Sequence, residues 1–170
     1  DDKRGVDTVF ATNEVLLVLE CTGMYSAYFT NNYNLTAAAL EAIVVVPDLL
    51  DKFTQHICSS IPSTVLRRAD SVKAFWRSLF QHARGNEVLV ADALIRALPS
   101  LAVGVSSVTM NVSNRNQLET LINELAVFIG PYRVQFKDMI KKEIASACKI
   151  IKSKAKVVAE FRRLESRLCQ

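Results

Sequence analysis

The sequence predicts an all-α fold, a compact bundle of about six to seven helices with a long basic helix at its C-terminal end. Three observations predict it. Half of the 170 residues are apolar and only 22% are charged, which is too apolar for a disordered chain. Only 5 Gly and 4 Pro are present, and few stretches alternate apolar with polar residues between turn signals, as strands do. Apolar residues instead recur at steps of three and four, the spacing that places them on one face of a helix.

Taken in order, Asp7 or Thr8 caps a first helix whose buried positions are Val9, Val15, Leu16, Val18 and Leu19. Thr22 and Gly23 interrupt it, a short helical turn carries Tyr25, Tyr28 and Phe29, and residues 31–34 read as a loop. A helix over residues 35–45 begins at an Asn34 cap and meets Pro47, which kinks or breaks it. Residues 48–61 resume with Leu49, Leu50, Phe53, Ile57 and Ile61 inward, and Pro62 ends that run.

Asp70 caps the next helix, with Val72, Phe75, Trp76, Leu79 and Phe80 on its buried face. Gly85 supplies the left-handed residue that closes it. Residues 88–98 are apolar on more than one side, which marks a central helix. Pro99 either breaks that helix or sits in the first turn of a continuation through LAVGVSSV, whose small residues allow close packing. Residues 113–117 form a linker that caps a helix from Gln117 to Ile129, and Gly130-Pro131 punctuates the chain.

Charge divides the chain at that point. Residues 131–170 hold eleven Lys or Arg against four Asp or Glu, a net of +7, while residues 1–130 hold ten against thirteen, a net of −3. A stripe of Ile140, Ile144, Ala147, Ile151, Ala155, Val158, Phe161, Leu164 and Leu168 predicts a single helix, roughly 50–60 Å long at the α-helical rise. The expected division is therefore a bundle over 1–130 and a basic helix over 131–170, packed on that bundle or projecting from it.

No catalytic, cofactor or metal site is expected. His56 and His82 are isolated, and no HExxH, Walker loop, GxSxG or CxxC accompanies them. Asp48 and Asp51 read as first-turn carboxylates rather than a cation site. Cys21, Cys58, Cys148 and Cys169 are too widely spaced for a paired zinc motif and are candidate disulfide partners in a secreted chain, with three pairings open, or buried thiols in a cytosolic one. Asn34 and Asn111 begin glycosylation triplets. Lys141, Lys142, Lys149, Lys152, Lys154, Lys156, Arg162 and Arg163 are the candidate polyanion-binding residues, although they lie nearly all round a helix and lack the interleaved aromatics that stack on bases. No apolar run reaches the ~18 residues of a membrane span, so a soluble protein is expected, and the opening DDKRGVDT reads as the start of a mature or excised fragment.

Residues 48–114 carry a resemblance. Ile61-Pro62, then Ala74, Phe75, Ser78, Leu79 and Phe80, then Ala93, Leu94, Ala97 and Leu98, then Gly104, Val105, Ser106 and Ser107 follow the order of helical segments in the repeat units of spider silk proteins. The chain resembles the aciniform and tubuliform spidroins in particular, over about residues 12–115. It departs from them in having 21 Lys or Arg, 4 Cys and only 5 Gly, and the pattern leaves the basic C-terminal segment unaccounted for. The resemblance implies a secreted, non-enzymatic structural unit that associates with itself or with other silk-type proteins. Its route to fibre would be the opening of β-capable segments at residues 14–19 and 42–46. The alternative expectation is an intracellular helical module, cytoplasmic in location, whose basic end docks an acidic protein segment, an anionic membrane surface or RNA.

Overall fold

The structure, a computed structural model, describes residues 79–170 continuously, with residues 44, 50, 51, 54, 55, 58, 59, 73, 76 and 77. Of the described residues 79% are helical and none lies in a strand. The expected all-α class is the one observed. The readings for residues 1–43, 45–49, 52, 53, 56, 57, 60–72, 74, 75 and 78, Cys21, Asn34, Asp48, His56 and Phe75 among them, lie outside the described residues.

Residues 76, 77 and 79–81 are helical, with Trp76 and Leu79 fully buried. The Trp76 indole N–H is buried without a hydrogen-bond partner, which costs about 1–3 kcal/mol against the gain from burying the ring. This helix stops before its expected end at residue 84. Arg84 and Gly85 both adopt positive φ, at 45° and 91°, so the reversal uses Gly85 as predicted but takes one more residue with it.

Helix α1 (Glu87–Arg96) starts with an acidic residue and ends with a basic one, as the helix dipole favours. Its buried residues Val90, Ala91, Ala93, Leu94 and Ile95 cover more than one side, so α1 is central, as its composition predicts. Helix α2 (Leu98–Ser106) follows after Ala97 with a bend of 44°. Pro99 occupies the first turn of α2, where its missing N–H leaves no vacancy in the helix ladder. The two readings of Pro99 are thus reconciled, since the helix bends and resumes at once.

Helix α3 (Val112–Ile129) begins earlier than Gln117, and the expected linker is its first turn. Asn111 caps it, its Oδ1 accepting from the Asn114 N–H at 2.8 Å, and buried Asn114 donates from Nδ2 to the Thr109 carbonyl at 2.8 Å. A polar run that composition assigns to a loop is therefore the capping apparatus of the helix. Leu118, Leu121, Ile122, Leu125 and Ile129 are buried, while Phe128 stacks on Phe80 with centroids 4.7 Å apart.

The single long C-terminal helix is corrected. A 3₁₀ turn (Gly130–Tyr132) leads to α4 (Lys137–Ile150), residues 151–154 turn the chain, and α5 (Ala155–Leu168) folds back. Burial explains the break. Ile140, Ile144, Ala147 and Ile151 are buried at steps of four, three and four, and so are Val157, Phe161, Leu164 and Leu168. Six residues separate Ile151 from Val157, so on an unbroken helix the two stripes would face roughly 120° apart at 100° per residue. One core cannot receive both faces. The chain turns, α4 packs on α2 and α1, α5 packs on α3, and the two pack on each other. Their buried side chains join the same core as those of α1–α3. Val157 takes the inward place predicted for Ala155, which is exposed.

Gly104 faces the Cys58 backbone so closely that an added methyl would run into the Cys58 carbonyl oxygen, whereas Gly130 has open space at that point and right-handed backbone angles. Gly104→Ala is expected to cost about 1–3 kcal/mol through overpacking, and Gly130→Ala to add about 0.4–1 kcal/mol by restricting the unfolded chain. Urea unfolding followed by circular dichroism checks both signs.

Candidate functional site

The eight cations selected from the sequence do not share one surface, because the turn at 151–154 distributes them over two helices. Three are engaged internally. Lys154 is half-buried and its Nζ donates to the Val108 carbonyl at 2.8 Å, tying the α4–α5 connection to the 107–111 loop between α2 and α3. Arg163 donates to the buried Glu160 carboxylate at 2.7 Å and to Asn123 Oδ1 at 2.7 Å, joining α5 to α3. Arg162 pairs with Glu165 at 3.3 Å on the exposed side, an i,i+3 contact worth only a few tenths of a kcal/mol.

Lys141, Lys142, Lys149, Lys152 and Lys156 are exposed and enter no ion pair with the described residues. They fall into two groups. Lys141 and Lys142 stand on the body of α4 near Asp138 and Glu143 in sequence, which dilutes their charge. Lys149, Lys152 and Lys156 flank the α4–α5 connection, and residues 144–159 contain no Asp or Glu, so no acid dilutes the positive charge along that stretch.

Side chains other than the eight cations also bear on this end. Thr109 and Met110, with Lys154, Ala155 and Lys156, line an open groove of about 440 Å³. Val112 and Ile150, at 78% and 42% exposure, are exposed apolar residues at the adjoining helix ends. At the far end of α5, Arg133 and Arg167 line a cleft of about 250 Å³, but their guanidinium groups already donate to the Gly130 carbonyl and to Asn123 Oδ1, at 2.9 and 3.0 Å. The sequence-based selection contains neither arginine.

The remaining candidates are dispersed. Cys58 and Cys148 are buried and Cys169 is half-buried, all three as free thiols, so the disulfide expectation has no bond among the described residues. Cys148 lies in the last turn of α4 and Cys169 just beyond α5, opposite ends of a pair of helices that fold back on each other. Burial pushes the Cys58 thiol up to about 12, and burial also raises Cys148 and Cys169, with Arg162 opposing it at the former and Lys141 and Lys137 at the latter. Asn111 is exposed and its side chain is the α3 cap. His82 sits half-buried in the turn after residue 81. Asp51 pairs with Arg96 at 3.0 Å, and Arg96 also holds Asp92, so the one described member of the Asp48/Asp51 pair is engaged in an ion pair. No three His, Cys, Asp or Glu among the described residues converge as metal ligands. No single described helix is long and apolar enough to cross a membrane, and the bent α1–α2 pair that is apolar enough buries Val90, Leu94, Ile95 and Leu101 in the core. No family model, curated protein or solved structure matches this chain.

The Cys58 thiol gives a pH prediction. Its ordinary value is 9.0 and its folded value about 12, so the folded state keeps a proton that the unfolded chain releases. The associated stability is intact below about pH 9 and is lost as pH rises towards about 12. The stability advantage of the native chain over Cys58→Ala, from urea midpoints, is expected to shrink across that window. An advantage independent of pH contradicts the assignment.

Proposed function

We propose that this chain is a non-enzymatic helical module that binds an acidic partner through the α4–α5 end of its bundle. One observation carries the reading: Lys149, Lys152 and Lys156 are exposed around one connection and unpaired with the described residues, whereas Lys154, Arg162 and Arg163 are already engaged. Free lysines at one end attract an extended acid, and counter-ions compete for them, so binding falls as salt rises. The apolar α1–α2 pair and the α4 stripe form the core that holds this end in place. Combined Lys149→Glu, Lys152→Glu and Lys156→Glu substitutions are expected to weaken binding of polyglutamate by about tenfold or more at low salt, with helicity unchanged. Lys141→Glu with Lys142→Glu is expected to weaken it less. Equal losses from the two sets, by fluorescence anisotropy, refute the assignment to the α4–α5 end.

The spidroin resemblance supports a second reading, a secreted unit that associates into silk-type material. Of its described residues Leu79, Ala93, Leu94, Ala97, Leu98, Gly104 and Val105 are buried, where a shared helical packing would be kept, while Phe80 and Ser106 are half-buried and Ser107 is exposed. On this reading, protein sheared into fibres shows a growing β-sheet band in the infrared. Fibres that stay fully helical count against the conversion.

A further inference from the structure

The α4–α5 connection is tied down rather than free. Lys154 reaches the Val108 carbonyl and draws the first turn of α5 against the 107–111 loop, and the groove of about 440 Å³ lies between them. Its volume is within the range of ligand pockets, about 300–1,000 Å³. The walls offer the Met110 thioether, the Ala155 and Thr109 methyl groups and the aliphatic stems of Lys154 and Lys156, surfaces that accept an apolar side chain of varied shape. Among the described residues that line it there is no carboxylate and no aromatic ring.

The rim has the opposite character. Lys152 and Lys156 are exposed and unpaired with the described residues. Lys154 stands at the N-cap of α5 without a side-chain cap; the Val157 N–H goes to the Lys154 carbonyl, and the N–H groups of Ala155 and Lys156 with the positive end of the dipole add to the lysine charge. An apolar floor within a cationic rim is complementary to an apolar side chain flanked by carboxylates. Nucleic acid would leave the floor unused, since base stacking needs aromatic rings. A lipid surface engages protruding side chains better than a recess.

We infer that the groove between the 107–111 loop and the first turn of α5 takes an acidic peptide segment with an apolar anchor residue. The anchor sits against Met110 and Ala155, and flanking carboxylates face Lys152, Lys156 and the start of α5. This inference rests on the acidic-partner reading and adds the anchor to it.

Two fluorescein-labelled peptides test it on the full chain by anisotropy, one all glutamate and one with two central leucines among the glutamates. The leucine peptide is expected to bind about tenfold tighter, the ratio that burial of one leucine allows. Ala155→Glu places a carboxylate in the groove at an exposed first-turn position that tolerates acid, and it is expected to abolish that advantage while circular dichroism stays unchanged. Met110→Asp is the second probe of the same wall. Equal binding of the two peptides, or an advantage that survives Ala155→Glu, overturns the groove assignment and leaves the basic surface standing. Binding of phosphatidylserine vesicles in place of both peptides makes a membrane the occupant and overturns it too. If neither peptide binds, both readings fail.

Discussion

Seating α4 on α2 is the contact on which the rest of this architecture depends. Helix α2 can be enclosed from two directions because its buried surface includes the small residues Ala102 and Gly104. The Cys58 backbone closes on Gly104, and Leu101, Ala102 and Val105 are buried in the core that Ile140, Ile144 and Ala147 of α4 complete. Each large aliphatic side chain buried there contributes about 1.5–3 kcal/mol. A bulkier α2 would hold α4 away, and the turn at 151–154 would then deliver α5 to no surface.

That constraint also sorts the charges. A segment with a net charge of +7 over residues 131–170 enters the core only by turning its Lys and Arg outward or giving them acceptors. Both occur. Glu160 is buried and holds Arg163, which spans to Asn123 on α3. Lys154 is accepted by a carbonyl beyond the end of α2. What remains unpaired after this partition is what the solvent and any partner meet.

The class of fold was legible in the sequence because helical periodicity dominates it, and so was the central place of α1, whose apolar residues exceed one face. Local misreadings have physical causes. Residues 113–117 are polar enough to pass for a linker, but Asn111 and Asn114 use that polarity to cap α3 and to satisfy the preceding loop. In sequence the C-terminal stripe runs through Ala155 and Val158, which keep a step of three or four, yet Val157 is the buried residue. A phase slip of that size is visible in sequence only if Val157, Phe161, Leu164 and Leu168 are taken as a separate stripe. The basic residues were legible and their sorting was not, since partners such as Val108 and Asn123 lie 46 and 40 positions away from their donors. The groove was invisible for the same reason.

The two ends of α5 show how the partition of charge also sets geometry. At its start, Lys154 is fixed to Val108, and further along Arg163 and Arg167 share Asn123 Oδ1. Apolar packing alone permits a helix to slide or rotate by small amounts at little cost, because dispersion and burial have no direction. Directional hydrogen bonds at two separated points along the axis, part-buried at Lys154 and exposed at Asn123, restrict that freedom, each by about 1 kcal/mol or less. With α5 held at both points, the distance between its first turn and the 107–111 loop is set as well. The groove is therefore a consequence of how the basic segment was accommodated, and its lysine rim consists of the charges that the same accommodation left over.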